Sequence, residues 1–152
     1  MKKFRVPLLF LSLFLSLLLI SCSTHIEDTN GDQTTLCSIT DEDILTDSPT
    51  HTSVGSVRSS LNNKQTLRVN KLSGIYAFDA HLATDTTLTV TLSTTLYEGN
   101  LRAVLLCDGE YVQDIDVNTE QSVTVSPANG RYQVRLAAES AKLDATLIFS
   151  ED

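Results

Sequence analysis

Tryptophan is absent from this chain of 152 residues, and phenylalanine and tyrosine are few. Proteins that hold sugars commonly stack them on exposed aromatic rings, so this scarcity weakens the prediction of a carbohydrate-binding protein. Tyr76 and Tyr132 fall on the apolar faces of predicted strands. Tyr97 and Tyr111, near strand ends, are therefore the candidate stacking residues.

Several catalytic motifs are missing as well. The sequence has no Gly-x-Ser-x-Gly, no His-Glu-x-x-His, no phosphate-binding loop and no Cys-x-x-Cys. Its three histidines, His25, His51 and His81, are scattered, and Asp79 and His81 merely share one face of a predicted strand. We therefore predict that the chain is not an enzyme and that it uses no cofactor.

Positive charge is scarce. The formal net charge is −8, and Lys2, Lys3 and Arg5 supply three of the eleven cations within the first few residues. A protein this acidic is repelled by the phosphates of nucleic acids. The charge therefore excludes nucleic acid as a predicted partner.

The start of the chain is an apolar leader. Three cations precede a run over residues 6–20 that is almost wholly Leu, Phe, Val and Ile. Fifteen residues are too few for a membrane-spanning helix, which needs about 20. The pattern of a charged start and a short apolar core is typical of a secretory signal peptide, which we place at residues 1–21.

The leader ends on Leu19-Ile20-Ser21-Cys22, which resembles the lipobox of bacterial lipoproteins. The resemblance implies that a dedicated peptidase cuts before Cys22 and that the Cys22 thiol carries a diacylglycerol. The mature protein would then be anchored by lipid to the cell membrane or the outer membrane, facing outside the cytoplasm. The alternatives are an ordinary secretory signal cut near Ser23 and an uncleaved anchor.

Residues 22–51 have the composition of a flexible acidic tether. They are rich in Thr, Ser, Asp and Asn, contain no Lys or Arg, and offer only scattered aliphatic side chains. A short helix over residues 41–46, capped by Thr40, is one exception that the sequence allows. The acidic run there lacks the glycine of a calcium loop and has Thr52 in place of its last glutamate, so no metal site is predicted.

From residue 52 the apolar residues alternate with polar ones, which is typical of half-buried strands. Leu88, Val90 and Leu92 point one way and the intervening threonines the other. Turn dipeptides at Asp108-Gly109 and Asn129-Gly130 predict two hairpins. We prefer a three-residue connection at the first, because it places Ala103 and Ile115 on the same core face. With no helical stripe, residues 52–152 are predicted to form an antiparallel β-sandwich of seven to nine strands.

The last part of this domain carries a second resemblance. Gly130, Tyr132, Val134 and Leu136 lie in the stretch NGRYQVRLAAESAKLDATLIF. They resemble the closing hairpin of jelly-roll-like sandwich modules found beside secreted bacterial peptidases and among carbohydrate-binding modules. The resemblance implies a jelly-roll-like fold and says little about function.

Two groups of cations are candidate binding residues. Between residues 48 and 78 the chain has four cations and no acid, which is typical either of an anion-binding surface or of a solvated strand edge. Arg131 and Arg135 alternate with Gln133 and form an outward polar row, so we add them to Tyr97 and Tyr111 as candidate ligand-binding residues. The cations of the first group are Arg58, Lys64, Arg68 and Lys71.

The sequence thus predicts a surface-exposed lipoprotein whose non-catalytic β-sandwich binds an envelope protein or a surface polymer. The alternatives are a structural or accessory envelope lipoprotein without a free ligand, and a carbohydrate-binding module. Apart from Cys22, the chain has Cys37 and Cys107. We expect free thiols there, although an exported protein also permits a disulfide.

Overall fold

The computed structural model describes residues 38–152, so the leader, Cys22 and Cys37 lie outside the described residues. One helix, α1 (Asp41–Leu45), precedes five strands that form a single sheet in the order β1-β2-β5-β3-β4. No helix in this part of the chain is long and apolar enough to cross a membrane. The strands are β1 (His51–Leu61), β2 (Lys64–Ala77), β3 (His81–Cys107), β4 (Glu110–Ile115) and β5 (Glu120–Glu151).

The prediction of an all-β, mostly antiparallel domain is confirmed. Antiparallel pairing joins β1 to β2, β2 to β5 and β3 to β4. Between β3 and β5 the paired residue numbers rise along one strand and fall along the other, from Leu88 with Glu151 to Leu105 with Val134. Residues 88–93 pair on both sides, with residues 120–125 and with residues 146–151 of β5. The middle of β3 therefore lies between the two ends of β5.

The strands are fewer and longer than predicted, since segments expected to be separate run on into one another. Asn129-Gly130 is the clearest case, because Thr84 pairs with Asn129 and Ala83 with Gly130 inside the β3–β5 ladder. The predicted hairpin at this dipeptide is wrong. Gly130 has a φ of +114°, which favours glycine, and a Cβ there would also lie 2.4 Å from the Asp108 carboxylate.

Both long strands bend at the same level of the sheet. Gly99 in β3 and Ser140 in β5 have positive φ, and a Cβ on Gly99 would lie 2.5 Å from the Glu139 carbonyl oxygen. Leu92 before this bend and Leu105 after it belong to one buried cluster. The bend thus lets both halves of β3 contribute to a single core.

That core confirms the predicted alternation. Leu88, Val90 and Leu92 are fully buried, and Tyr76 and Tyr132 are buried with them. The intervening hydroxyls form a ladder on the other face, where Thr91 Oγ1 lies 2.8 Å from Ser122 Oγ. Apolar burial on one face and hydroxyl pairing on the other both favour this register.

A second, smaller cluster lies under α1. Thr40 caps the helix as predicted: its hydroxyl accepts a hydrogen bond from the Asp43 amide, while the Asp43 carboxylate accepts one from the Thr40 amide. Ile44 is buried and packs against the sheet, together with Ile75, Val104, Leu106 and Ala137. Residues 38–50, at the end of the predicted tether, therefore include a segment that packs on the domain.

Candidate functional site

Arg135 lies on the outer face of β5, as the alternation predicts, but it is not an exposed residue. Only 6 % of it is exposed, because α1 and the segment that follows cover it. Its Nη1 donates to the carbonyl oxygens of Ile44 and Thr46, the latter at 2.7 Å, and its Nε donates to Gln133 Oε1 at 3.0 Å. Burial lowers the pKa of the guanidinium, and nearby Asp47 opposes that effect. Arg135 therefore joins the end of α1 to β5.

The covered end of this polar row opens into a cleft of about 420 Å³. The structure brings Arg131 and Arg135 to the same cleft, one at an exposed wall and the other at a buried one. Strand alternation alone predicts that both residues lie on the same face of β5. The other lining residues are Asp47, Pro49, Ala80, Asp108, Gly109 and Gln133.

The Asp108-Gly109 turn forms one side of this cleft. Asp108 accepts a hydrogen bond from the Arg131 amide at 3.0 Å and donates its own amide to the Arg131 carbonyl at 2.9 Å. These bonds fix the backbone of Arg131. Its guanidinium, by contrast, makes no ion pair or hydrogen bond within residues 38–152.

Tyr97 lies away from the cleft. Its ring is exposed, its hydroxyl donates to Asp144 Oδ2 at 3.2 Å, and Lys142 Nζ lies 5.9 Å from the ring centroid. Arg68 pairs with the same Asp144 carboxylate at 2.9 Å, and this hydrogen bond lowers the pKa of Asp144. Tyr97 thus belongs to a smaller surface hollow whose polar groups already pair with one another.

Tyr111 lies at the start of β4 and is also exposed. Its hydroxyl accepts a hydrogen bond from the Asp114 amide at 3.1 Å, which ties it to its own strand. Neither Tyr97 nor Tyr111 lines the cleft that holds Arg131. The four predicted ligand-binding residues therefore fall at three separate places.

The edge strand β1 forms an exposed surface. The sequence pointed to this region only through the basic stretch between residues 48 and 78. All eleven of its residues are exposed, and it pairs with β2 alone. Val54, Val57 and Leu61 expose 63 %, 68 % and 73 % of their area. Edge strands in soluble proteins are normally protected against pairing, and β1 contains no proline and only one charged residue, Arg58.

The cations of the basic stretch surround this edge. Arg68 pairs with Asp144, whereas Arg58, Lys64 and Lys71 make no ion pair within the described residues. Because residues 48–78 contain no acid, this edge is positively charged on a protein that is otherwise acidic. The signal that locates it from sequence is the local lack of Asp and Glu.

His81 and Cys107, the candidate reactive side chains, both contact neighbouring groups of the domain. The His81 ring stacks on Phe149 with centroids 5.0 Å apart, and its Nε2 lies 2.7 Å from Glu151 Oε1. Cys107 is a free thiol that donates to the Asn129 carbonyl at 3.4 Å. Within residues 38–152, no group of three His, Cys, Asp or Glu side chains is arranged to hold a metal ion.

The sequence matches no protein-family model, and it matches no curated protein. The physical features of the chain are therefore the basis for assigning its function.

Proposed function

We propose that this chain is a membrane-anchored, surface-exposed bacterial lipoprotein whose non-catalytic β-domain binds a protein partner by strand addition at β1. The lipobox ending at Cys22 supports the anchor, because two or three acyl chains hold a protein on a membrane firmly where one chain does not. The long, bent strands with their common core support a jelly-roll-like, sandwich-type packing of the domain.

The exposure of β1 carries the binding proposal. A strand of eleven residues is roughly 35 Å long and presents unpaired amide and carbonyl groups along its free side. Val54, Val57 and Leu61 add apolar surface to the same strand. Backbone hydrogen bonds together with exposed apolar side chains are the two components of strand addition to a sheet edge.

The charge around the edge indicates the kind of segment that fits it. Arg58, Lys64 and Lys71 have no acidic partner within the described residues. An added strand with acidic residues would pair with these cations, while a basic strand would be repelled. The partner is therefore an extended segment that combines apolar and acidic side chains.

The other edge of the sheet is a weaker candidate. β4 has only six residues, and its outer positions include Glu110 and Asp114. A short edge with charged side chains is one of the ordinary protections against strand pairing. The contrast between β1 and β4 directs the experiment to β1.

Photo-crosslinking in intact membranes tests the proposal. A photoreactive residue is placed at Val57, and a matched control is placed at Leu82, which is equally exposed but lies on β3. We expect a defined adduct from Val57 and none from Leu82. Hydrogen exchange on the purified complex should show protection of β1 amides and unchanged β4 amides.

A second variant makes the result decisive. Val57→Lys places a charge on the free edge, and because the side chain is exposed, the domain should keep its stability within about 0.5 kcal/mol. Because position 57 is now occupied by lysine, the photoreactive residue is placed at Val54 instead. An adduct from Val54 in the otherwise unchanged chain should disappear in the Val57→Lys variant. An adduct that persists, or a complex without protection of β1, would refute strand addition.

A further inference from the structure

Arg135 keeps one donor group for a ligand. Its Nε and Nη1 are bonded to Gln133, Ile44 and Thr46, but its Nη2 makes no hydrogen bond with any group in residues 38–152. No side-chain nitrogen or oxygen that is fully enclosed in this part of the chain lacks a partner. Nη2 is therefore not fully enclosed, and Arg135 is one of the residues that line the cleft.

The cleft holds this donor rigidly. The guanidinium is fixed by three hydrogen bonds, so a ligand group that binds Nη2 does not have to order a free side chain. Arg131 supplies a second guanidinium four residues away on the same face of β5. Two cations that lack acidic hydrogen-bond partners favour an anionic group in the cleft.

Asp47 and Asp108, which also line the cleft, restrict which anions it can bind. Asp47 makes no hydrogen bond within residues 38–152, and Asp108 uses its carboxylate on the Arg131 amide. The two carboxylates disfavour a doubly charged phosphate, and a bare carboxylate ligand would itself offer Asp47 no hydrogen-bond donor. A singly charged ligand that also carries hydroxyl groups satisfies both Arg and Asp side chains.

We propose that this cleft binds an acidic sugar unit, with its carboxylate on Arg131 and Nη2 of Arg135 and a ring hydroxyl donating to Asp47. The volume of about 420 Å³ lies within the range of about 300–1,000 Å³ that small-molecule sites occupy. Pro49, Ala80 and Gly109 give the cleft an apolar part for the ring carbons. This site is separate from β1 and does not depend on strand addition there.

Amide chemical-shift titration of the isotope-labelled full chain in detergent micelles tests the site. The probes are a galacturonic acid disaccharide, the neutral galactose disaccharide and sodium acetate. We expect saturable shifts around residues 108, 109 and 131 with the acidic disaccharide, much weaker binding of acetate and no shifts with the neutral disaccharide, and we expect the acidic disaccharide to bind more weakly at high salt. Equal shifts with the neutral disaccharide would overturn the proposal, and binding of acetate as tight as that of the acidic disaccharide would reduce the cleft to a general anion site and overturn it as well.

Two variants assign the contacts. Arg131→Gln removes an exposed cation and should weaken acidic-disaccharide binding about tenfold, whereas Lys64→Gln, a matched loss of an exposed cation near β1, should leave it unchanged. Asp47→Asn should narrow the preference for the acidic disaccharide over acetate, because the hydroxyl loses its charged acceptor. Unchanged affinity in Arg131→Gln, or an unchanged preference in Asp47→Asn, would overturn the proposed contacts.

Discussion

Truncation of Ile44 tests whether residues 38–50 are part of the folded domain. Ile44 is 2 % exposed and sits in the small cluster formed with Ile75, Val104 and Leu106. Replacing a buried isoleucine by alanine costs about 2–5 kcal/mol, and the cost is lower where the surroundings can relax. Because α1 has only five residues and lies on the outside of the sheet, we expect Ile44→Ala to lower the free energy of unfolding by about 2–3 kcal/mol.

Thermal unfolding of the domain, followed by circular dichroism, measures this effect. For a domain of this size, a loss of about 2–3 kcal/mol corresponds to a decrease in Tm of about 6–15 °C. Val57→Ala is the control, because that side chain is exposed and its truncation should change stability by no more than about 0.5 kcal/mol. An Ile44→Ala protein with the Tm of the parent would show that residues 38–50 add nothing to the fold, as their composition alone suggests.

Three further predictions concern the anchor and the attachment of α1. Cys22→Ala should accumulate as an uncut precursor without bound fatty acid, and normal processing would refute the lipobox assignment. Thr40→Ala should destabilise the domain by about 1 kcal/mol in chemical denaturation, and an unchanged midpoint would argue against the capping box. Hydrogen bonds from Ser38 and Asn100 lower the pKa of Glu139 below its ordinary value of 4.5. The resulting stabilisation is present above pH 4.5 and is lost as the pH falls through the lowered pKa, so Glu139→Gln should flatten the acidic part of a plot of Tm against pH; two identical plots would contradict this.

Local signals predicted the local structures well. The Thr40 cap and the helix that follows it are visible in sequence, because a capping box depends on residues three apart. The alternation of Leu88, Val90 and Leu92 likewise identified the core face, since strand side chains have a period of two. Both features depend only on near neighbours in the chain.

The first hairpin shows where such reasoning begins to fail. The structure closes it with two residues, Asp108 and Gly109, both at positive φ, and Cys107 pairs with Glu110. The expected extra residue is present, but as a bulge further along the strands, so Ala103 still pairs with Ile115 as predicted. The core face fixes the register, while the position of the bulge depends on how the turn twists.

The lengths of β3 and β5 are not visible in the sequence. Strands usually have 3–10 residues, so the prediction divided β5 at Asn129-Gly130, whereas the structure continues it through this point. Asn-Gly is compatible with a tight turn and also with a bend in a continuous strand. The choice depends on the segment that lies opposite, here residues 83 and 84 of β3, and pairing between distant segments leaves no local signal.

The candidate cleft also depends on contacts between distant segments, so it could not be predicted from the sequence. Alternation places Arg131 and Arg135 on one face of β5, but it gives both the same exposure. What separates them is the end of α1 and the residue after it, because the carbonyl groups of Ile44 and Thr46 accept hydrogen bonds from Nη1 of Arg135, while the Arg131 guanidinium has no partner within the described residues. Residues 41–47, whose acidic composition indicates a solvated tether when considered alone, therefore hold one of the two cations in place through backbone carbonyl groups and leave the guanidinium of the other without a partner in the described residues. A binding residue of this kind can be identified only after the segment that covers it has been placed.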